Sequence, residues 1–194
     1  MSSKSSNSKG KGKGLNLNDD DDDEKTFVLL LAEPFEITKK EASLSEHLTT
    51  VLESEGPEGK TDNKRTLAPE GTNLVKKETF AKVIEYLKKH NGVPPPEIEV
   101  PLPSFNMPNV VSDWDAKFID GVFEEGGMDS LAELVLAALY FKIRPLETLG
   151  CAKIATLIKK CETTAEMRNV LGIKITAKEV EKHEKTMNDT YNWM

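Results

Sequence analysis

The chain has 194 residues, 38% of them hydrophobic, and a formal charge of −7, with a pI near 5.2. That is enough apolar material for one sizeable core or two small ones. The acidic balance argues against a nucleic-acid binder, which needs a clustered lysine and arginine surface, and favours protein partners.

Residues 1–24 join a Ser, Lys and Gly stretch to the acidic run Asp19–Glu24. Neither part can bury apolar area to offset the entropy of ordering, so a disordered acidic leader is expected. Its lysines Lys9, Lys11 and Lys13 read as a solvated tail, and "GKGKG" lacks the spacing of a phosphate loop. No apolar signal core is present, and no run reaches the roughly 18 to 20 uncharged apolar residues of a membrane span. A cytoplasmic and nuclear location without membrane contact is the expectation.

Two β-rich runs, Phe27–Leu31 and Phe35–Thr38, flank an Ala-Glu-Pro turn and predict a hairpin. Ser43 with Glu46 reads as a capping box ahead of Leu44, Leu48, Val51 and Leu52 at helical spacing. From Glu53 to about Asn73 the hydrophobic period disappears, leaving a loop with a short strand at Arg65–Ala68. Phe80, Val83, Ile84 and Leu87 then mark one helix face, with lysines in its last turn and Gly92 as the stop. The prolines of "VPPPEIEVPLPSFNMP" lack amide donors and bias their neighbours away from helix. Disordered loops are therefore expected near 53–73 and 93–111.

The second half reads as a run of helices. Ser112 or Asp113 caps a helix carrying Trp114, Phe118 and Ile119, and Gly126 and Gly127 separate it from "SLAELVLAALYFKIRP". In that stretch the only charged side chains from Leu131 to Ile143 are Glu133 and Lys142. A helix so apolar all round needs cover on every side, either from this chain or in part from another protein. Ser130 with Glu133 reads as its capping box. Pro145 opens the next helix, with Leu146, Leu149, Ile154, Leu157 and Ile158 on adjoining faces. Thr163 with Glu166 and Thr176 with Glu179 repeat the capping signature. Val180, Met187, Tyr191 and Trp193 form a thin apolar stripe that must lie against something.

Catalytic constellations fail for lack of residues. His47, His90 and His183 fall one per predicted helix, with no Cys, Asp or His at ligand spacing. Cys151 sits mid-helix among apolar neighbours, an environment that raises a thiol's pKa. Together with Cys161 it gives neither a disulfide framework nor a metal spacing, which fits a reducing compartment. Glu124 and Glu125 read as solvated rather than as a buried acid pair. The expectation is a protein that is not an enzyme and holds no metal or cofactor.

"VSDWDAKFI" (Val111–Ile119), "LAELVLAALYFKIRPLETLGCAKIATLI" (Leu131–Ile158), "AEMRNVLGI" (Ala165–Ile173), the linker start "HNGVPPPE" and Trp193 occur in a specific order and spacing. In this pattern the chain after residue 25 resembles the S-phase kinase-associated adaptor family of SCF ubiquitin ligases, which bridges a cullin scaffold to F-box proteins. Elongin C and other BTB/POZ domains are similar only as far as about residues 145–149. The resemblance implies an α+β fold, with a BTB/POZ domain over 25–144 and an all-helical F-box-binding extension over 145–194. A homodimer of the free form, paired through the BTB face, is left open by the sequence. Matched position by position, the F-box contacts are Leu131, Leu146, Cys151, Ile154, Ile158, Ile173 and Trp193, and the cullin contacts include Leu139 and Tyr140. The chain departs from the family where "AANYL" reads "AALYF", placing Leu139 where the family has asparagine. That departure makes an F-box-binding subunit of a cullin-free assembly, such as a kinetochore complex, the alternative reading. Thr164 also stands for a proline, and "TYNW" for "ENQW".

Overall fold

The structure, a computed structural model, describes residues 26–30, 34–54, 64–66, 75–174 and 176–191. In chain order these form β1 (Thr26–Leu30), β2 (Pro34–Thr38), α1 (Lys39–Ala42), α2 (Glu46–Glu53), β3 (Lys64–Thr66), α3 (Lys77–His90), α4 (Asp113–Tyr140), α5 (Arg144–Lys159), α6 (Thr164–Val170) and α7 (Ala177–Thr190), with a 3-10 turn at Met107–Asn109. The fold class is α+β, as expected. The expected acidic leader, the far end of the strand at Ala68, most of the loop near 53–73 and Trp193 lie outside the described residues.

β1 is the middle strand of the sheet, antiparallel to β2 and parallel to β3. Its pairing with β2 sets Phe27 opposite Ile37 and Leu29 opposite Phe35. Alternate side chains of a strand share a face, and Phe27 and Leu29 are buried together with Ile37. α3 packs against this sheet with the apolar face its period predicts, burying Phe80, Val83, Ile84, Tyr86 and Leu87. Phe35 meets Phe80 edge-on at 5.0 Å between ring centroids, and Phe80 lies 5.2 Å from Phe141 at the end of α4. These rings carry the core from the sheet through α3 to α4.

Two helix starts differ from the sequence expectation. Thr38 and Glu41 form a capping box that opens α1, so Ser43 belongs to the turn that ends α1, and the N-cap of α2 is Ser45. Ser45 is fully buried. Its Oγ accepts the Leu48 N–H at 3.1 Å, and its hydroxyl donates to the Phe141 carbonyl at 2.6 Å. One side chain thus satisfies a donor at the start of α2 and a carbonyl at the end of α4, both of which lack helical partners. The second difference lies in α4, which is broken at Gly127 with φ 66° and ψ −149°, a conformation that only glycine adopts freely. The helix resumes directly after it, so Ser130 is already helical. Glu133 closes no capping box there and instead accepts from Lys76 Nζ and, at 3.3 Å, from Thr79 Oγ1.

The proline-rich segment also departs from the disordered loop expected near 93–111. Met107 is buried, Ile98 and Leu102 pack against the core, and the Lys159 ammonium lies 4.5 Å from the centroid of the Phe105 ring. Apolar residues spaced between the prolines supply anchors that backbone hydrogen bonds cannot.

Ser45→Ala is expected to lower stability in urea denaturation by about 1–3 kcal/mol, since it removes a cap and orphans a buried carbonyl. Ser43→Ala, at an exposed hydroxyl that donates to the Lys40 carbonyl, should stay within about 0.5 kcal/mol. Equal losses at the two positions would contradict the reassigned cap.

Candidate functional site

α5 lies close against α4. A Cβ on Gly150 would come within 2.4 Å of Val135 Cγ2, so glycine is what permits the approach. Lys153, only 8% exposed, donates to Asp120 Oδ1 at 2.7 Å and sits 5.3 Å from the centroid of the Phe123 ring. Leu146, Leu149, Ala152 and Thr156 complete the inward face. The helical period then turns another stripe outward: Cys151 and Ala155 are exposed, and Ile154 and Ile158 half-buried.

The chain continues into α6 and α7, which open with the expected capping boxes, Thr163 with Glu166 and Thr176 with Glu179. α6 buries no residue, and in α7 the described side chains are exposed except for half-buried Val180. Ile173, Met187 and Tyr191 are 46%, 59% and 44% exposed. Val180, Met187 and Tyr191 recur at helical spacing, so α7 offers an apolar stripe that the described residues leave uncovered.

The structure therefore separates the expected F-box contacts. Cys151, Ile154 and Ile158 share the outer stripe of α5, Ile173 is exposed beyond α6, and Trp193 lies outside the described residues. Leu131 and Leu146 are at 0% exposure within the core. That corrects their assignment as contact residues, because the hydrophobic core already uses both side chains. Burial, and then the charge of Glu147, raises the Cys151 pKa, which keeps the thiol protonated and weakly nucleophilic. Among the described residues no group of His, Cys, Asp and Glu is arranged to hold a metal ion. No helix among them is long and apolar enough to cross a membrane.

The apolar helix ending at Tyr140 is only partly wrapped. Leu131, Leu134, Ala137 and Ala138 are buried, whereas Leu136 and Leu139 are 61% and 48% exposed. Three residues apart, these two leucines lie on one side of the helix. Tyr140 is half-buried beside them, its ring 5.0 Å from both His47 and Phe141. Burial, and then the neighbouring Lys142 charge, lowers the His47 pKa from its ordinary value.

Local spacing conceals one pair. His90 Nε2 lies 2.9 Å from Asp115 Oδ1, and the Ser112 hydroxyl donates to Asp115 Oδ2 at 2.7 Å. The proline segment separates the two partners in sequence, so only the folded chain joins the end of α3 to the start of α4. Trp114 stacks on Phe118 beside them with centroids 5.0 Å apart, which marks the pair as part of the packing.

No protein-family model matches the chain. It is 46% identical over 99 residues to the S-phase kinase-associated protein 1 homolog of Tetrahymena thermophila, a match covering 51% of this chain and 57% of the relative. It is 31% identical over 99 residues to the E3 ubiquitin ligase complex SCF subunit sconC of Arthroderma otae, covering 51% and 56%. It is 34% identical over 99 residues to SKP1-like protein 11 of Arabidopsis thaliana, with the same two shares, 51% and 56%. The chain spans a little over half the length of the relatives it matches.

A histidine whose folded pKa lies below its unfolded value near 6.5 holds fewer protons in the native state. Its contribution to stability is complete above that value and is lost as pH falls through the lower folded one. The denaturation midpoint should therefore fall between about pH 7 and pH 5, and fall less in His47→Asn. An identical pH slope in the variant would remove His47 as a source.

Proposed function

We propose that this chain, which belongs to the S-phase kinase-associated protein 1 family, is a non-catalytic adaptor of an SCF-type ubiquitin ligase that links a cullin to F-box proteins. The observation that carries this reading is the uncovered apolar surface of the last three helices. Cys151, Ile154 and Ile158 on α5, Ile173 beyond α6, Val180 and Met187 on α7, and Tyr191 just past its end are all exposed or half-buried. Short helices gain most of their stability from packing an apolar face, and α6 and α7 find little of that packing within the described chain. A helical partner laid across them would supply it.

The proposal divides the chain into a BTB/POZ body over 25–144, carrying the cullin contact at Leu139 and Tyr140, and an F-box-binding extension over 145–194. Leu136, exposed one turn before Tyr140, extends the apolar cullin-facing patch. The protonated Cys151 thiol acts here as a small apolar contact and not as a nucleophile.

Burying one large apolar side chain is worth about 1.5–3 kcal/mol. Ile158→Asp and Ile173→Asp, both outside the core, are expected to weaken capture of a purified F-box protein at least ten-fold while leaving the far-UV circular dichroism unchanged. Leu139→Asp should leave F-box capture intact and weaken cullin binding. Undiminished F-box binding in both isoleucine variants would contradict the docking surface.

A further inference from the structure

The outward stripe of α5 does not stop at Cys151. Arg144, Thr148, Cys151, Ala155 and Ile158 follow one another at steps of four and three residues and so lie along one face of the helix. All are exposed except half-buried Ile158. The proline segment borders this face at both ends. Near the start of α5, Pro94, Pro96 and Ile98 share with Arg144 and Thr148 the lining of a cavity of about 600 Å3. At the far end, one turn beyond Ala155, the Lys159 ammonium donates to the Leu102 carbonyl at 3.5 Å and lies 4.5 Å from the centroid of the Phe105 ring.

The cavity is walled largely by apolar groups, with Val111 and Leu149 joining Ile98 and the prolines. Its volume falls in the range that encloses a whole small ligand, so it admits a short run of side chains. The backbone beside it is open as well. The prolines of the segment carry no N–H, and among the described residues the amides of 97–100 donate to no backbone carbonyl. A helix laid on α5 satisfies its own backbone and cannot use such groups. An extended chain can. Phe105 adds an apolar ring that is 47% exposed.

We propose that the proline segment is a second wall of the F-box docking surface, and that the cavity receives an extended apolar stretch of the partner running on from the helix that covers Ile154 and Ile158. The inference rests on the F-box reading above and adds an occupant to it. That occupant is a short run of large aliphatic or aromatic residues adjoining the F-box in the partner's sequence. The face of α5 from Ile158 to Arg144 is continuous, so a chain leaving the docked helix meets the cavity without crossing a polar gap wider than Thr148 and Arg144 themselves.

A photo-crosslinking benzoylphenylalanine in place of Pro96, in the full chain bound to a purified F-box protein, reads the occupant directly. Mass spectrometry is expected to map its crosslinks to apolar residues that adjoin the partner's F-box, whereas the same group in place of Cys151 should crosslink to the F-box helices. Pro96→Asp, at an exposed position on the cavity wall, sets a charge against the apolar stretch and should weaken capture about ten-fold with unchanged far-UV circular dichroism. Crosslinks from position 151 with none from position 96, or from 96 only into the F-box helices, would overturn the inference and leave the F-box reading standing. Undiminished capture by Pro96→Asp would do the same. Crosslinks from neither position would overturn both.

Discussion

The seam between α4 and α5 governs what the rest of the chain can present. Gly150 brings the α5 backbone against Val135, and Lys153 is held between Asp120 and the Phe123 ring. With Leu146, Leu149 and Ala152 committed inward, the 3.6-residue period leaves Cys151, Ile154, Ala155 and Ile158 facing out. The direction of that stripe follows from the seam. Replacing the buried lysine or the glycine would turn or loosen α5 and carry the outer residues with it, although none of them would itself be changed.

The first half of the molecule closes on itself by other means. Phe35, Phe80 and Phe141 run as adjacent rings from the sheet through α3 to the end of α4. Ser45 ties the start of α2 to that same end through the Phe141 carbonyl, and the His90 and Asp115 pair joins α3 to the start of α4. The row of rings and both polar ties end on α4. The central helix is thereby fixed at both ends, which accounts for Leu136 and Leu139 standing out on a rigid support while α6 and α7 bury nothing comparable.

Much of this was legible in local pattern. Hydrophobic period placed α3 and its buried face, and the Ser/Thr-x-x-Glu signature placed the starts of α6 and α7, because both signals act within a few residues. The same signature misled at Ser43 and Ser130. Thr38 with Glu41 offered a competing cap upstream of the first, and Gly127 had already restarted the helix before the second. The family resemblance carries Leu131 and Leu146 over as contact residues, yet a matched apolar position can serve the core as well as a docking face, and both are fully buried. Which side of a helix meets water is decided by its neighbours. The Asp115 partner of His90 was invisible for the same reason, since the pair depends on elements brought together only by the fold.

The account rests on the last helices being stable chiefly when another protein covers them. Hydrogen–deuterium exchange of the full chain, alone and with a purified F-box protein, reads this directly. In the free chain the amides of α6 and α7 should exchange far faster than those of α3 and of α4 after Gly127, and should slow sharply when the partner is added. Protection of α7 equal to that of α3 in the free chain, or exchange unchanged by the partner, would contradict the account.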